Sequence, residues 1–216
     1  MKYAILAGGP ASHLPDLHDP LFSNVNWIGV DRGTLHLLEN GICPIKAFGD
    51  FDSVNEKERQ FISEQNIDLV LFQPEKDMTD LEIALEWVLT QSPERCFIVG
   101  ATGGRLDHEL MNVQMLIKHE SNKLLLVDRQ NIITILYAGA YNIRNYTRYP
   151  YFSLIAFTPK VTGIFLEGFK YPLNNASLTW GSSLCISNEL IQDEAKVTIG
   201  EGVALCIRSR DRQAIL

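Results

Sequence analysis

Three short segments carry side chains whose types and spacing suit the handling of phosphates and metal ions. The first is Gly49-Asp50-Phe51-Asp52-Ser53. In extended backbone, alternate side chains fall on one side of the chain, so Asp50 and Asp52 are expected to face the same way. Carboxylates pressed together repel, and a hard divalent cation such as Mg²⁺, which prefers oxygen ligands, relieves that cost. The same pattern also serves as a helix cap followed by a solvated Asp, so alone it decides nothing. The second segment is Asp77-Met78-Thr79-Asp80. Thr79 reads as a helix N-cap and Asp80 as first turn, where the macrodipole favours a carboxylate by ~0.3–1 kcal/mol. A dipole does not require Asp on both sides of the cap, so the two segments together predict converging carboxylates. The third runs from Gly100 through Gly103-Gly104-Arg105 to Asp107-His108. Glycines there let backbone N–H groups approach phosphate oxygens, and a helix N-terminus favours an anion. Arg105 can add a bidentate contact. No Gly-Lys-Ser/Thr follows, so this is not a Walker A loop. Gly8-Gly9 is a weaker version of the same idea. Asp31-Arg32-Gly33 reads equally as a wall of the same edge or as a helix cap, and Lys76 equally as a phosphate contact or a solvated loop charge.

These segments need elements to position them. KYAILAGG, VNWIGVD, IKAFGD, DLVLF, RCFIVGA and KLLLVD are short apolar runs that end in turn or acidic residues and alternate with helical patterns. That alternation predicts a mostly parallel sheet wrapped by helices. Ligands bind such a sheet at its carboxyl edge, where all three segments fall. Ser53–Glu56 and Thr79–Glu82 fit capping boxes. Leu81, Ala84, Leu85 and Val88 share one helical face. Leu106, Leu110, Val113 and Ile117 do the same in the helix after Arg105, and are expected to face the core. Beyond about residue 130 the pattern changes to short strand-like runs, such as NIITILYAG, YFSLIAFTP and KVTIGEG, separated by Gly and Pro. The expected fold is therefore an α/β domain over 1–130 followed by an all-β, sandwich-like domain over 131–216.

Composition narrows the partners. The 216 residues hold 46% hydrophobic and 21% charged side chains, as in an ordinary globular protein. Nineteen basic against 26 acidic residues give a net charge of −7, which argues against broad nucleic-acid binding. An anionic substrate needs a cation or local arginines to enter such a field. No apolar run approaches the ~20 residues of a membrane helix. Cys43, Cys96, Cys185 and Cys206 show no paired spacing, which fits reduced thiols in a cytoplasmic protein.

In this order and spacing, GDFDS, DMTD and GGRLDH resemble the thiamine pyrophosphokinase family of bacterial type. The likeness continues through Gly168-Phe169-Lys170-Tyr171 and Ser182 to Ser187-Asn188-Glu189. The resemblance implies transfer of a pyrophosphoryl group from ATP to the hydroxyl of thiamine, giving thiamine diphosphate and AMP. It also implies Mg²⁺, and a homodimer with its sites at the subunit interface. By motif, Asp50, Asp52 and Asp80 would hold metal or position phosphates, and Asp77, Thr79, Arg105 and Asp107 would line the same pocket. Asp80 or Asp107 would take the hydroxyl proton. Ser187-Asn188 and an aromatic ring, Tyr171 or Trp180, would hold thiamine. Two other readings remain from the residues alone: another D-x-D metal-dependent transferase using nucleotides, and a non-catalytic thiamine- or nucleotide-binding module.

Overall fold

The computed structural model describes residues 1–72, 77–118 and 123–211. The chain divides into two compact units, the first closing at Arg129 and the second opening at Gln130. In the first unit, strands β1 (Lys2–Leu6), β2 (Val25–Val30), β3 (Lys46–Gly49), β4 (Asp68–Leu71), β5 (Arg95–Val99) and β6 (Leu124–Val127) pair in parallel in the order β6-β5-β1-β2-β3-β4. Helices α1 (Arg32–Glu39), α2 (Glu56–Ser63), α3 (Asp80–Thr90) and α4 (Leu106–Lys118) connect them. β1 and β5 are buried along nearly their whole length, as apolar strands covered on both faces must be. Consecutive residues of β3 show the two faces. Ala47 packs with Leu35 of α1 and Ile62 of α2, whereas the Phe48 ring meets Trp87 of α3 at 5.9 Å between centroids.

The strand order positions the site. The chain steps from β1 to β4 in one direction, then returns to place β5 on the other side of β1. Loops leaving neighbouring strands at such a reversal part to opposite faces and leave a crevice. Two backbone bonds tie its floor: Ala7 N–H donates to Val99 O and Gly9 N–H to Gly100 O, both at 2.8 Å.

The second unit is antiparallel. β7 (Asn131–Leu136), β9 (Tyr151–Ala156), β12 (Asn188–Glu189) and β14 (Ala204–Ser209) pair in the order β12-β9-β14-β7. β8 (Gly139–Arg144), β10 (Lys160–Glu167), β11 (Leu173–Thr179) and β13 (Glu194–Ile199) pair in the order β11-β10-β13-β8. Burial alternates along β13 and β14, as it must where each sheet has one wet face. Phe152, Leu154, Val161, Leu166, Leu178 and Val197 fill the space between the sheets. An α/β part followed by a β sandwich is the architecture expected from the sequence.

Three local expectations are corrected. The capping box before α2 is Asn55–Glu58, not Ser53–Glu56: Asn55 Oδ1 accepts from Glu58 N–H and Glu58 Oε2 from Asn55 N–H. Asn caps as well as Ser, so either register satisfied the pattern. On α4, Leu106 and Leu110 are exposed, while Met115 and Leu116 are buried. The apolar stripe therefore does not mark the core-facing side of that helix. The second unit also holds two strands, β8 and β14, beyond the runs quoted from the sequence. All four cysteines are free, and burial pushes the Cys96 and Cys206 thiols up to about 12. Cys96 and Cys206 are packing groups rather than nucleophiles. No helix among the described residues is long and apolar enough to cross a membrane.

Candidate active site

A cleft of about 830 Å³ opens at the carboxyl ends of β1, β2 and β5. The loops after these strands supply Gly8, Gly9, Asp31 and Arg32, while Thr79, Asp80 and His108 come from the starts of α3 and α4. Of the residues singled out in the sequence, Asp77, Thr79, Asp80, Gly104 and Arg105 line it. Asp50, Asp52, Gly103 and Asp107 stand outside its wall. Lys76 lies outside the described residues. Thr79 caps α3 as expected, its Oγ1 accepting from Glu82 N–H at 3.2 Å, which holds Asp80 in the first turn.

Asp31 is the electrostatic centre. Burial pushes its carboxyl up to about 6; the charge of Asp80 adds to this, and those of Asp50 and Asp52 add less. One contact works in the opposite direction: Phe51 N–H donates to Asp31 Oδ1 at 3.3 Å. Acids from two other loops thus bear on the Asp31 carboxyl. Among the described residues, however, no three His, Cys, Asp or Glu side chains draw together into a group that could hold a metal ion. Carboxylates that repel stay apart unless a cation lies between them.

The local backbone explains how Asp31 and the Gly49–Ser53 loop approach. Asp31 precedes α1 at φ +47° without capping it, so its carboxylate is not spent on the helix. Gly49 has φ +148°, and a Cβ there would lie 1.9 Å from Asp31 Oδ1. Only glycine allows that approach. Phe51 is at φ +56°, a position that costs a bulky residue ~1–3 kcal/mol. Its ring is buried with Leu35, Ala47, Val54 and Ile62, which offsets the strain. This overturns the extended geometry expected for Asp-Phe-Asp. The chain turns at Phe51, and Asp52 N–H donates to Asp50 Oδ1 at 3.0 Å. Two arginines hold the loop by its carbonyls. Arg59 donates to Asp50 O and Phe51 O, and Arg32 to Ser53 O.

The loop after β5 is built differently. Thr102, buried, donates to Asp128 at 2.9 Å, and Asn112 Nδ2 donates to Ala101 O at 2.8 Å. Gly103 N–H donates to Glu109 Oε2 at 2.9 Å, so this amide is directed to a carboxylate. Gly103 is at φ +79°, and a Cβ there would collide with the His13 ring. Arg105 grips Asp107 with Nε and Nη2, a fork that holds the Asp107 carboxyl well down at about 2. So low a carboxyl is poorly matched to taking a proton near neutrality.

In the second unit, Tyr171, Ser187 and Asn188 come together, and Trp180 does not join them. Asn188 Oδ1 accepts from Tyr171 N–H at 3.0 Å, and its Nδ2 donates to Tyr171 O at 2.8 Å. Ser187 is exposed and at φ +56°. Trp180 lies just beyond the far end of β11, a strand that spans roughly 20 Å at ~3.3 Å per residue. Its indole N–H donates to Phe157 O.

Sequence reasoning left Asp31-Arg32-Gly33 undecided and did not single out Arg59 or Glu109. A strand-end Asp beside two other acidic strand ends was a readable signal for Asp31. Arg59 gave none, since only the turn at Phe51 brings those carbonyls to it.

Similarity to known proteins follows the same division. Residues 19–127 match the family described as "Thiamin pyrophosphokinase, catalytic domain", and residues 140–204 match "Thiamin pyrophosphokinase, vitamin B1 binding domain". The thiamine pyrophosphokinase of Bacillus subtilis (strain 168) is 46% identical over 209 residues, covering 96% of this chain and 98% of that protein. The crystal structure of thiamine pyrophosphokinase from Bacillus subtilis superposes with a TM-score of 0.92 at 44% identity, over 98% of this chain and 100% of the other. That of the Geobacillus thermodenitrificans protein gives 0.91 at 43%, over all of both chains.

Asp31 sets a pH dependence. Its folded pKa is raised above the unfolded value, so the stability it contributes is complete below about pH 4 and is lost as pH rises through about 6. Asp31→Asn keeps an acceptor for Phe51 N–H and removes the charge. We expect its Tm to exceed that of the wild type by a few degrees at pH 8, with the gap narrowing by pH 4, while turnover falls. Thermal melts at the two pH values check this; a gap that does not narrow contradicts it.

Proposed function

The chain belongs to the thiamine pyrophosphokinase family, and from that premise we propose how its two units share the reaction. The enzyme transfers pyrophosphate from ATP to thiamine, giving thiamine diphosphate and AMP. The thiamine hydroxyl oxygen attacks the β-phosphorus, the bond from that phosphorus to the oxygen bridging the α-phosphate breaks, and AMP leaves. The first unit binds ATP in the cleft, and the second presents thiamine and forms the dimer.

The observation that carries this reading is the coupling of Asp31 to Asp80, Asp50 and Asp52 beside a cleft walled by Gly8, Gly104 and Arg105. Such a field repels a triphosphate unless it is neutralised. The donors are all carboxylate oxygens, which fit Mg²⁺. Asp50, Asp52 and Asp80 are the residues that would hold it, with Asp31 behind them. Bound there, the ion would offset the carboxylates and the phosphate charge. Phosphoryl-type transfer is mainly positioning and charge neutralisation, and the protein's share falls to Arg105, Asp77, Thr79 and the loop amides. Of the two carboxylates considered for the hydroxyl proton, Asp107 is tied to Arg105, so we assign the role to Asp80.

Tyr171 is assigned to the thiamine ring system. The thiazolium is cationic, and an exposed aromatic face attracts a cation by ~0.5–2 kcal/mol. Its tie to Asn188 favours it over Trp180.

Product analysis tests the reaction. Thiamine with Mg-ATP should yield AMP and thiamine diphosphate, and Asp52→Asn should lower kcat/KM about 100-fold, or ~2.7 kcal/mol. ADP with thiamine monophosphate refutes the assignment. The dimer has its own test. Co-expressed Asp52→Asn and Tyr171→Ala chains, assayed at limiting thiamine, should recover about a quarter of wild-type activity if each site draws on both subunits of a twofold dimer. Activity no higher than the separate variants contradicts a shared site.

A further inference from the structure

We propose that Asn188 is a positioning residue that acts on thiamine only through Tyr171. The inference rests on the reading that the Tyr171 ring meets thiamine, and it revises the expectation that Asn188 touches the vitamin itself. Asn188 is 3% exposed. Its side-chain amide is committed on both sides. Oδ1 accepts from Tyr171 N–H at 3.0 Å and from Glu189 N–H at 2.9 Å, and Nδ2 donates to Tyr171 O at 2.8 Å. A primary amide that clasps both backbone groups of one residue replaces a strand partner at that point. Such a group has little left to offer a ligand.

The surroundings are built for the same end. Tyr171 stands just past the last backbone pairings of its segment: Lys170 N–H donates to Glu189 O at 2.8 Å and Ile191 N–H to Gly168 O at 3.0 Å. Beyond them the Asn188 clasp continues the tie by one more residue. Ser187, at φ +56°, turns the chain immediately before Asn188, and its N–H donates to Ser153 Oγ at 2.9 Å. The outcome is an aromatic residue whose backbone is fastened while the residue remains 59% exposed. A ring that is exposed yet held gives up less freedom when it binds. Lys170 lies over the ring, with Nζ 5.8 Å from the centroid, and Glu189 pairs with it at 2.7 Å. That pairing leaves the ring able to accept a cationic ligand.

The test is a double-mutant cycle on Tyr171 and Asn188, read as KM for thiamine and KM for ATP. Tyr171→Ala should raise KM for thiamine about tenfold, within the range of a lost cation–aromatic contact. Asn188→Ala should raise it by a comparable factor while KM for ATP stays within about twofold, and the double variant should be no worse than Tyr171→Ala alone. Asn188→Asp keeps the two acceptor bonds, loses the donor, and serves if the alanine variant folds poorly. Additive losses overturn the proposal, because Asn188 then acts on thiamine without Tyr171. A parallel rise in both KM values overturns it too, since that marks a general defect. If Tyr171→Ala leaves KM for thiamine unchanged, the assignment of the ring itself is wrong, an outcome visible in that single variant.

Discussion

The site in the first unit depends on one constraint, a partly buried carboxyl with other acids close to it. Asp31, the Asp50–Asp52 pair and Asp80 come from three loops, and after burial the charges of Asp80, Asp50 and Asp52 each raise the cost of ionising Asp31. The fold accepts this cost and restrains it locally. Gly49 has no side chain because Asp31 Oδ1 occupies that space, Phe51 carries an unfavourable backbone conformation because its ring is buried, and Arg32 and Arg59 hold the loop by its carbonyls rather than by its carboxylates. These two arginines thus bond the backbone of the loop that carries Asp50 and Asp52.

The parallel sheet explains why these loops meet. Local patterns made the strands legible, since each is a short apolar run ending in a turn. From there the carboxyl edge followed as the place where the three motifs gather. What the sequence could not convey was how the chain turns within a motif. Asp-Phe-Asp reads as extended by periodicity, yet Phe51 takes a left-handed turn because its ring finds a pocket among α1, β3 and α2. Periodicity also misdirected the reading of α4. Its stripe from Leu106 to Ile117 looks like a core face, but the start of the helix borders the cleft and leaves Leu106 and Leu110 exposed. Both failures come from tertiary contacts that decide against a local preference.

The second unit was legible as β structure but not as a site. Nothing in residue type distinguishes an Asn that meets a ligand from one that clasps the backbone of its neighbour. Only the Asn188–Tyr171 bonds make that distinction, and they also separate Tyr171 from Trp180, two exposed rings at opposite ends of β11. The two units thus solve different problems: one crowds acids around a buried carboxyl at restrained positions, and the other fastens an aromatic residue in place.

The most direct measurement of the account is the titration of the Asp31 carboxyl carbon by NMR, with and without Mg²⁺. The account predicts a midpoint about 6 in the metal-free protein, and a fall toward the ordinary carboxylate range when Mg²⁺ is added. A midpoint that is already ordinary, or one that ignores Mg²⁺, would show that these acids neither crowd one another nor gather around a cation.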